Sequence, residues 1–492
     1  MYCLTLLSVL FPIAAGAALL VRRPENRRAR NIYCVCCALI NSAFVLGSVI
    51  ATARFGAQST ALTAVRMSRE LEIALRIDRA SMVFGCITGV LWPITTVYAF
   101  SYMKHEGMEN RFFGFFLMTY GVVAGIAFSA NFFTMYLFYE LMTLATLPLV
   151  MHEMDGKAGY AGKLYILYSM TGAALVFIAL VFLIQCGSTL DFTFGGVLDA
   201  AKSAGREETL YLVFVLGFFG FGVKSAIFPF HGWLPAASVA PTPVTALLHA
   251  VAVVKSGAFA VMRLIYFAFG TDFLSGSWAQ SLVICASALT VVFGSAMSLR
   301  MPHLKRRLAY STVSNLSYIL LSFALMTPAG LAGGLMHMIC HAVIKITLFF
   351  CSGAILHRTK LEYVYEMEGL HARMPATCAA FTFSAMALMG VPPLGGFVSK
   401  WAIASAACAL EDWRGYTGAA ALIVSTVLTA LYMMTSVIRF YFPLRAAPDV
   451  TERSEADWQM LLPLGILTAL IAAGPLFSEA LFGWLAGAGG AV

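Results

Sequence analysis

The chain has 492 residues, of which 60% are hydrophobic and only 11% charged, with a formal net charge of +8. So little polar surface cannot cover a water-soluble globule of that mass, which excludes an ordinary soluble enzyme and places the chain in a bilayer. The basic balance requires no nucleic-acid partner, because loop charge in a membrane protein accounts for it.

Taken in chain order, apolar runs of roughly twenty residues are expected to span the membrane over 3–21, 31–51, 80–101, 112–129, 131–151, 163–185, 208–234, 242–268, 278–299, 308–327, 331–356, 375–410, 417–440 and 458–484. The reading is an all-α, polytopic membrane protein of about fourteen transmembrane helices. The first run has no basic residue before it and Arg22 and Arg23 after it, so it reads as a retained span rather than a cleaved signal. If the loop from Arg22 to Arg30 is cytoplasmic, roughly twice as many basic residues fall inside as outside, and both termini are expected outside. Most of the eleven cysteines, such as Cys86, Cys285, Cys340 and Cys351, lie within apolar runs, where a thiol behaves as a small hydrophobe. No iron–sulfur cluster, zinc site or other cofactor is expected.

A charge at mid-bilayer costs several kcal/mol, so such residues mark function by default. Glu140, Lys224, Lys255, Lys345 and Lys400 each fall near the middle of a run, and His249, His337 and His341 lie at similar depth. The cations there are lysines rather than arginines, and only lysine readily releases its proton on desolvation. In GLMHMICHAVIKITLFF, His337, His341 and Lys345 stand at i, i+4 and i+8, one stripe of about 12 Å along a helix. Such a stripe suits proton relay; an HxxxH zinc pair and histidines satisfied by backbone carbonyls are the alternatives. His249 and Lys255 are six apart and face about 120° from each other on a continuous helix. Pro229 follows Lys224 in GVKSAIFPFHGW, and Pro392, Pro393, Gly395 and Gly396 precede Lys400 in MGVPPLGGFVSK, so both helices are expected to be interrupted rather than merely kinked. Glu140 is the one carboxylate at the heart of a run, and Lys224 is its candidate partner. No Walker motif and no dinucleotide fingerprint is present, so driving energy must come from an ion gradient or a redox partner.

The segments FYELMTLATLPLV, GVKSAIFPFHGWLPAASVAPTPVTALLHAVAVVKSGAFAVMR, HLKRRLAYSTVSNLSYILL, MHMICHAVIKITLFFCSGAI and GVPPLGGFVSK resemble the antiporter-like subunits of respiratory complex I, of multisubunit Na+/H+ (Mrp-type) antiporters and of membrane-bound energy-converting hydrogenases. The resemblance covers about three-quarters of the chain. It implies fourteen helices with two inverted five-helix repeats, in which helices 7 and 12 are discontinuous. The units it implies are 1–111 for helices 1 to 3, 112–268 for the first repeat, 278–440 for the second and 441–492 for the last helix. By the same carry-over, Glu140 and Lys224 resemble the paired residues of a first half-channel, His249 and Lys255 the connecting residues, and His337, His341, Lys345 and Lys400 the route through a second. HAVIKITLFF together with Lys400 looks most like the largest complex I subunit of this type. The chain ends without that subunit's long lateral helix, so its length is expected to suit an Mrp-type or hydrogenase-type subunit. The inverted repeat rests on the resemblance, since proline follows Lys224 but precedes Lys400.

The function expected is translocation of protons, or exchange of Na+ for H+, within a multisubunit complex of a prokaryotic cell membrane, with other integral membrane subunits, the lipid bilayer and the ions as partners. No redox centre is expected in this chain itself. Lys224 would be charged near Glu140 and neutral when the two separate. The free energy of such a desolvation swing, on the order of 4–7 kcal/mol, is comparable with the roughly 4 kcal/mol gained by moving one charge through about 150–200 mV. A self-sufficient cation/proton antiporter and a membrane scaffold with inactive sites are the competing readings.

Overall fold

The computed structural model describes residues 2–55, 61–68, 71–443 and 454–487. Helices α1 (Tyr2–Arg22) and α2 (Arg27–Phe55) are followed by two short strands, β1 (Leu62–Arg66) and β2 (Glu72–Leu75), and then by α3 (Arg79–Tyr102), α4 (Glu109–Ala127), α5 (Phe132–Val150) and α6 (Gly156–Cys186). A single turn, α7 (Ala200–Ser203), leads into α8 (Glu207–Gly222), and the short α9 (Trp233–Ala236) precedes α10 (Thr242–Ala250), α11 (Val253–Arg263) and α12 (Thr271–Leu274). The chain continues through α13 (Trp278–Arg300), α14 (Leu304–Ala324), α15 (Pro328–Thr359), α16 (Pro375–Met389), α17 (Gly395–Cys408), α18 (Trp413–Tyr441), α19 (Trp458–Ala473) and α20 (Ser478–Ala486). Side-chain caps fix many of the starts: Asp78, Asn131, Asp155, Ser277, Thr327 and Asp412 each accept a hydrogen bond from a backbone N–H of the first turn that would otherwise lack a partner.

The protein is a predominantly helical, polytopic membrane protein. Among the described residues, eleven stretches are long and apolar enough to cross a bilayer, and each coincides with one of the runs expected from sequence. The remaining three runs are helical but fall short of that measure for identifiable reasons. Helix α8 stops after 16 residues; α14 opens on Lys305, Arg306 and Arg307; and the run over 375–410 is split into α16 and α17. The expectation of a wholly helical chain needs one correction, because β1 and β2 form an antiparallel hairpin pairing Leu62 with Leu75 and Arg66 with Glu72. Neither LTAVR nor EIAL alternates cleanly between apolar and polar residues, so the pattern offers little sign of these strands. Residues 444–453 and the extreme ends, on which part of the 441–492 unit and the placement of the termini depend, lie outside the described residues.

Contacts between the connecting segments sort them into two sets. In one, Arg30 and Arg27 pair with Glu109, His152 reaches the Gly107 carbonyl, His303 pairs with Tyr363, Lys305 donates to the Ala240 carbonyl and Arg358 to Glu455. In the other, Leu75 bridges to Ser129, Asn131 to Asp191, Arg263 binds Asp78 and Arg414 bonds Gln280. These sets are the two ends of one helical bundle. Its centre is the stretch Thr242–Phe269, in which every residue is buried, whereas most residues of Trp458–Ala486 at the edge are exposed or half-buried.

Candidate functional site

Two helix interruptions and one enclosed helix pair position the groups singled out in the sequence. Helix α8 ends at Gly222, and residues 223–232 run as turns before α9. The backbone groups freed by this break find partners: Trp233 Nε1 donates to the Val223 carbonyl (2.8 Å), Phe228 N–H to Thr290 Oγ1 (3.1 Å), and the Tyr139 hydroxyl to the Gly220 carbonyl (3.1 Å). Non-helical backbone is tolerated at membrane depth only when it is satisfied in this way. Lys224 stands in the break, fully buried. Its amine donates to the Tyr139 carbonyl on α5 and lies 3.5 Å from the centroid of the Tyr139 ring. Glu140 is the next residue of α5, half-buried, and its Oε1 has no hydrogen-bond partner. Among the described residues no ion pair within 4.0 Å involves Glu140; the ammonium takes the adjacent carbonyl and ring face instead.

The second interruption separates α16 from α17. Lys400, in the second turn of α17, reaches back to donate to the carbonyls of Leu388 (2.9 Å) and Met389 (3.2 Å) at the end of α16. An ammonium on the last carbonyls of a helix meets the negative end of its macrodipole. The amine also lies 5.5 Å from the centroid of the Tyr318 ring on α14.

Between these two lysines runs a line of buried bases. The Ser225 hydroxyl, next to Lys224, donates to the Val254 carbonyl at 3.2 Å, which docks the first break against α11 beside Lys255. Lys255 Nζ lies 2.7 Å from His341 Nδ1 on α15. The His341 and His337 rings stack with centroids 5.8 Å apart. His337 Nδ1 then bonds Ser399 Oγ at 2.9 Å, adjacent to Lys400. The 2.7 Å contact joins two nitrogen bases that compete for one proton, an arrangement suited to handing a proton from one helix to the other. Neither histidine of the pair bonds a backbone carbonyl or sits in a group of metal-ligating side chains among the described residues.

Lys345 leaves the stripe expected of it. Its amine crosses to α14 and donates to the Leu308 carbonyl (3.0 Å) and to the Ser311 hydroxyl. His249 packs against the Phe349 ring at 4.8 Å, and neither of its ring nitrogens has a partner. The 120° angle between His249 and Lys255 presupposed an unbroken helix, and that is corrected here: α10 and α11 are separated at Val251 and Ala252, whose N–H groups both bond the Leu247 carbonyl. No proline or glycine marks this slip, so periodicity alone missed it.

Sequence reasoning also passed over the hydroxyl partners. Tyr139, Tyr318, Ser311 and Ser399 each touch a titratable group named above. The signal was present in STVSNLSYILLS, where Ser311, Ser314, Tyr318 and Ser322 recur at helical spacing.

Comparisons with known proteins agree with this architecture. The chain is 29% identical over 424 residues to hydrogenase-4 component B of Escherichia coli (strain K12), covering 81% of this chain and 62% of that protein. It is 29% identical over 415 residues to NADH-quinone oxidoreductase subunit L of Mycobacterium tuberculosis (strain CDC 1551 / Oshkosh), covering 84% of this chain and 63% of that one. The chain thus spans less than two-thirds of the length of these curated relatives. Its fold matches a chain of the membrane-bound sulfane sulfur reductase, an archaeal respiratory membrane complex, with a TM-score of 0.86 over 99% of this chain and 96% of the other at 22% identity. Residues 129–473, which hold both interruptions and every buried base described above, match the profile of the NADH:quinone oxidoreductase/Mrp antiporter transmembrane family, and the chain belongs to that family.

Proposed function

We propose that this chain is an ion-translocating membrane subunit of a multisubunit complex, moving protons or exchanging Na+ for H+ through protonatable lysines at mid-membrane. The observation that carries the reading is the buried line from Lys224 through Lys255, His341 and His337 to Lys400. Isolated charges cost too much at this depth to persist as ornaments, and every cation on the line can change its protonation state. Lys224 alternates between the Tyr139 carbonyl and Glu140, its neighbour in sequence, so that gain of the carboxylate partner and gain of the proton go together. His249 and Lys345 serve as a branch between α10, α14 and α15. Energy to drive the cycle comes from an ion gradient or from a redox partner elsewhere in the complex.

The finer architecture belongs to the same proposal. The three runs that are too short, charged or broken to qualify by hydropathy nonetheless lead from one set of contacting loops to the other, which supports fourteen crossings. Units 112–268 and 278–440 each contain five such crossings, the fourth of which is broken beside a lysine, and this supports two inverted repeats. The loop containing Arg22 to Arg30 faces the cytoplasm of a prokaryotic cell, both termini face outward, and other integral membrane subunits cover part of the lipid-facing surface.

The test is Lys224→Arg in the assembled complex, assayed for ion translocation in sealed membrane vesicles. Arginine keeps the charge but does not release a proton, so translocation is expected to fall by at least about tenfold, the effect of some 1.4 kcal/mol on the limiting step. Translocation at the native rate by a fully assembled Lys224→Arg complex would refute the lysine mechanism.

A further inference from the structure

We propose that Tyr318 is a positioning residue for Lys400, its ring being the seat on which that lysine carries its charge. The inference rests on the translocation reading above and adds to it the group that holds the second broken helix's cation. In the first half, the lysine has Glu140 as the chain neighbour of the tyrosine that holds it. In the second half, no ion pair reaches Lys400 among the described residues, and its amine has two carbonyls and one aromatic face.

The geometry of Tyr318 fits that task. The residue is fully buried on α14, and its hydroxyl donates to Ser425 Oγ on α18 at 2.7 Å. Ser425 Oγ lies 2.5 Å from Ser295 Oγ on α13 and 3.1 Å from Ser314 Oγ, and Ser314 donates onward to the Val291 carbonyl at 2.8 Å. Three helices therefore hold the hydroxyl end of the ring, while the amine lies over its face. The same ring stands edge-on to His337, with centroids 5.4 Å apart. Tyr318 thus touches both the cation and the imidazole that precedes it on the line.

Lys224 repeats the pattern. It lies over the Tyr139 ring, whose hydroxyl is likewise committed elsewhere, to the Gly220 and Phe221 carbonyls. Lys224 and Lys400 are each seated on a tyrosine from a different helix whose O–H donates to another group. The attraction of a cation to an aromatic face strengthens as water is removed, and an enclosed site is where it counts most.

The experiment compares Tyr318→Phe, Tyr318→Leu and Lys400→Met in the assembled complex, measuring translocation in sealed vesicles and the thermal midpoint of the same preparations. Tyr318→Phe keeps the face and loses the tether, and is expected to stay within about twofold of the native rate. Tyr318→Leu loses the face and is expected to be slower by roughly three- to thirty-fold with the complex still assembled; Tyr318→Met replaces it if leucine prevents assembly. Equal losses for phenylalanine and leucine, or full rate for both, would overturn the seat while leaving the translocation reading intact. Lys400→Met is expected to block translocation, and a native rate in that variant would overturn the translocation reading itself.

Discussion

At the scale of single residues, one buried charge does structural rather than transporting work. Arg263 closes α11 with two bonds to the Asp78 carboxylate (2.5 and 2.8 Å) and one to Ser81 Oγ (2.9 Å), while its guanidinium packs on the rings of Phe192, Phe259 and Phe267. Asp78 is the N-cap of α3, so one carboxylate joins a helix start, a helix end and an aromatic cage. Burial by itself would raise this carboxyl, but the charge and hydrogen bonds of Arg263, the Ser81 N–H and the charge of Arg76 together hold it below the usual carboxylate range. A depressed folded-state value means that the pair's stabilisation is present in full above the ordinary carboxylate range and is lost as pH falls through the lowered value. Asp78→Asn strands a guanidinium that is 1% exposed, at a cost of about 3 kcal/mol. The thermal midpoint of the variant in detergent is expected below native at neutral pH, with the gap narrowing under strong acid. A gap that stays constant down to strong acid would show that the carboxylate charge is not what holds Arg263. The residue scale also separates what was legible from what was not. Lysines and histidines inside apolar runs declare themselves, because hydrocarbon makes each one an exception. Arg263 does not, since its partner lies 185 residues away and nothing local announces the contact.

At the scale of elements, the breaks depend on glycine for closeness. A Cβ on Gly257 of α11 would stand 2.7 Å from Ser225 Oγ and 2.8 Å from Ser225 N in the first interruption, and 2.9 Å from the Phe221 carbonyl oxygen at the end of α8. A Cβ on Gly396 would collide with the Ala387 carbonyl of the second. Gly257→Ala must therefore push the Lys224 segment off α11, with an overpacking penalty of about 1–3 kcal/mol. Reduced translocation and a lowered thermal midpoint are expected together, whereas Gly159→Ala on α6, where nothing lies within 4 Å, should change neither. Native behaviour from both variants would mean that the break is not held against α11 as described. Proline and glycine made the interruptions at 223–232 and 390–394 readable in advance. The slip at Val251 and Ala252 was not readable, because both residues suit a helix and the break arises from where α10 and α11 must pack.

At the scale of the whole molecule, the number of crossings follows from which loops meet. Hydropathy admits eleven stretches, and it fails for α8, α14 and the α16–α17 pair because breaks and charges interrupt their apolar runs. Contact is the better guide. The segment after α6 hydrogen-bonds the segment after α11, Gly195 N–H to the Tyr266 carbonyl and Val197 N–H to the Ala268 carbonyl, which supports the proposal that α8 and the α10–α11 stretch between them together go out and back. Were α8 not a crossing, those two loops would lie on opposite sides of the membrane. Cysteine placed at Ala201 and at Ser275 distinguishes the cases, with Lys157→Cys as the inside control, in a background whose exposed Cys3, Cys36, Cys86, Cys285 and Cys408 have been replaced by serine. An impermeant thiol reagent added to intact cells is expected to label positions 201 and 275 and to spare 157. Labelling at only one of 201 and 275 would remove α8 from the count of crossings, and with it the inverted repeat that Lys224 is proposed to serve; labelling of 157 alone would keep the fourteen crossings but reverse their orientation.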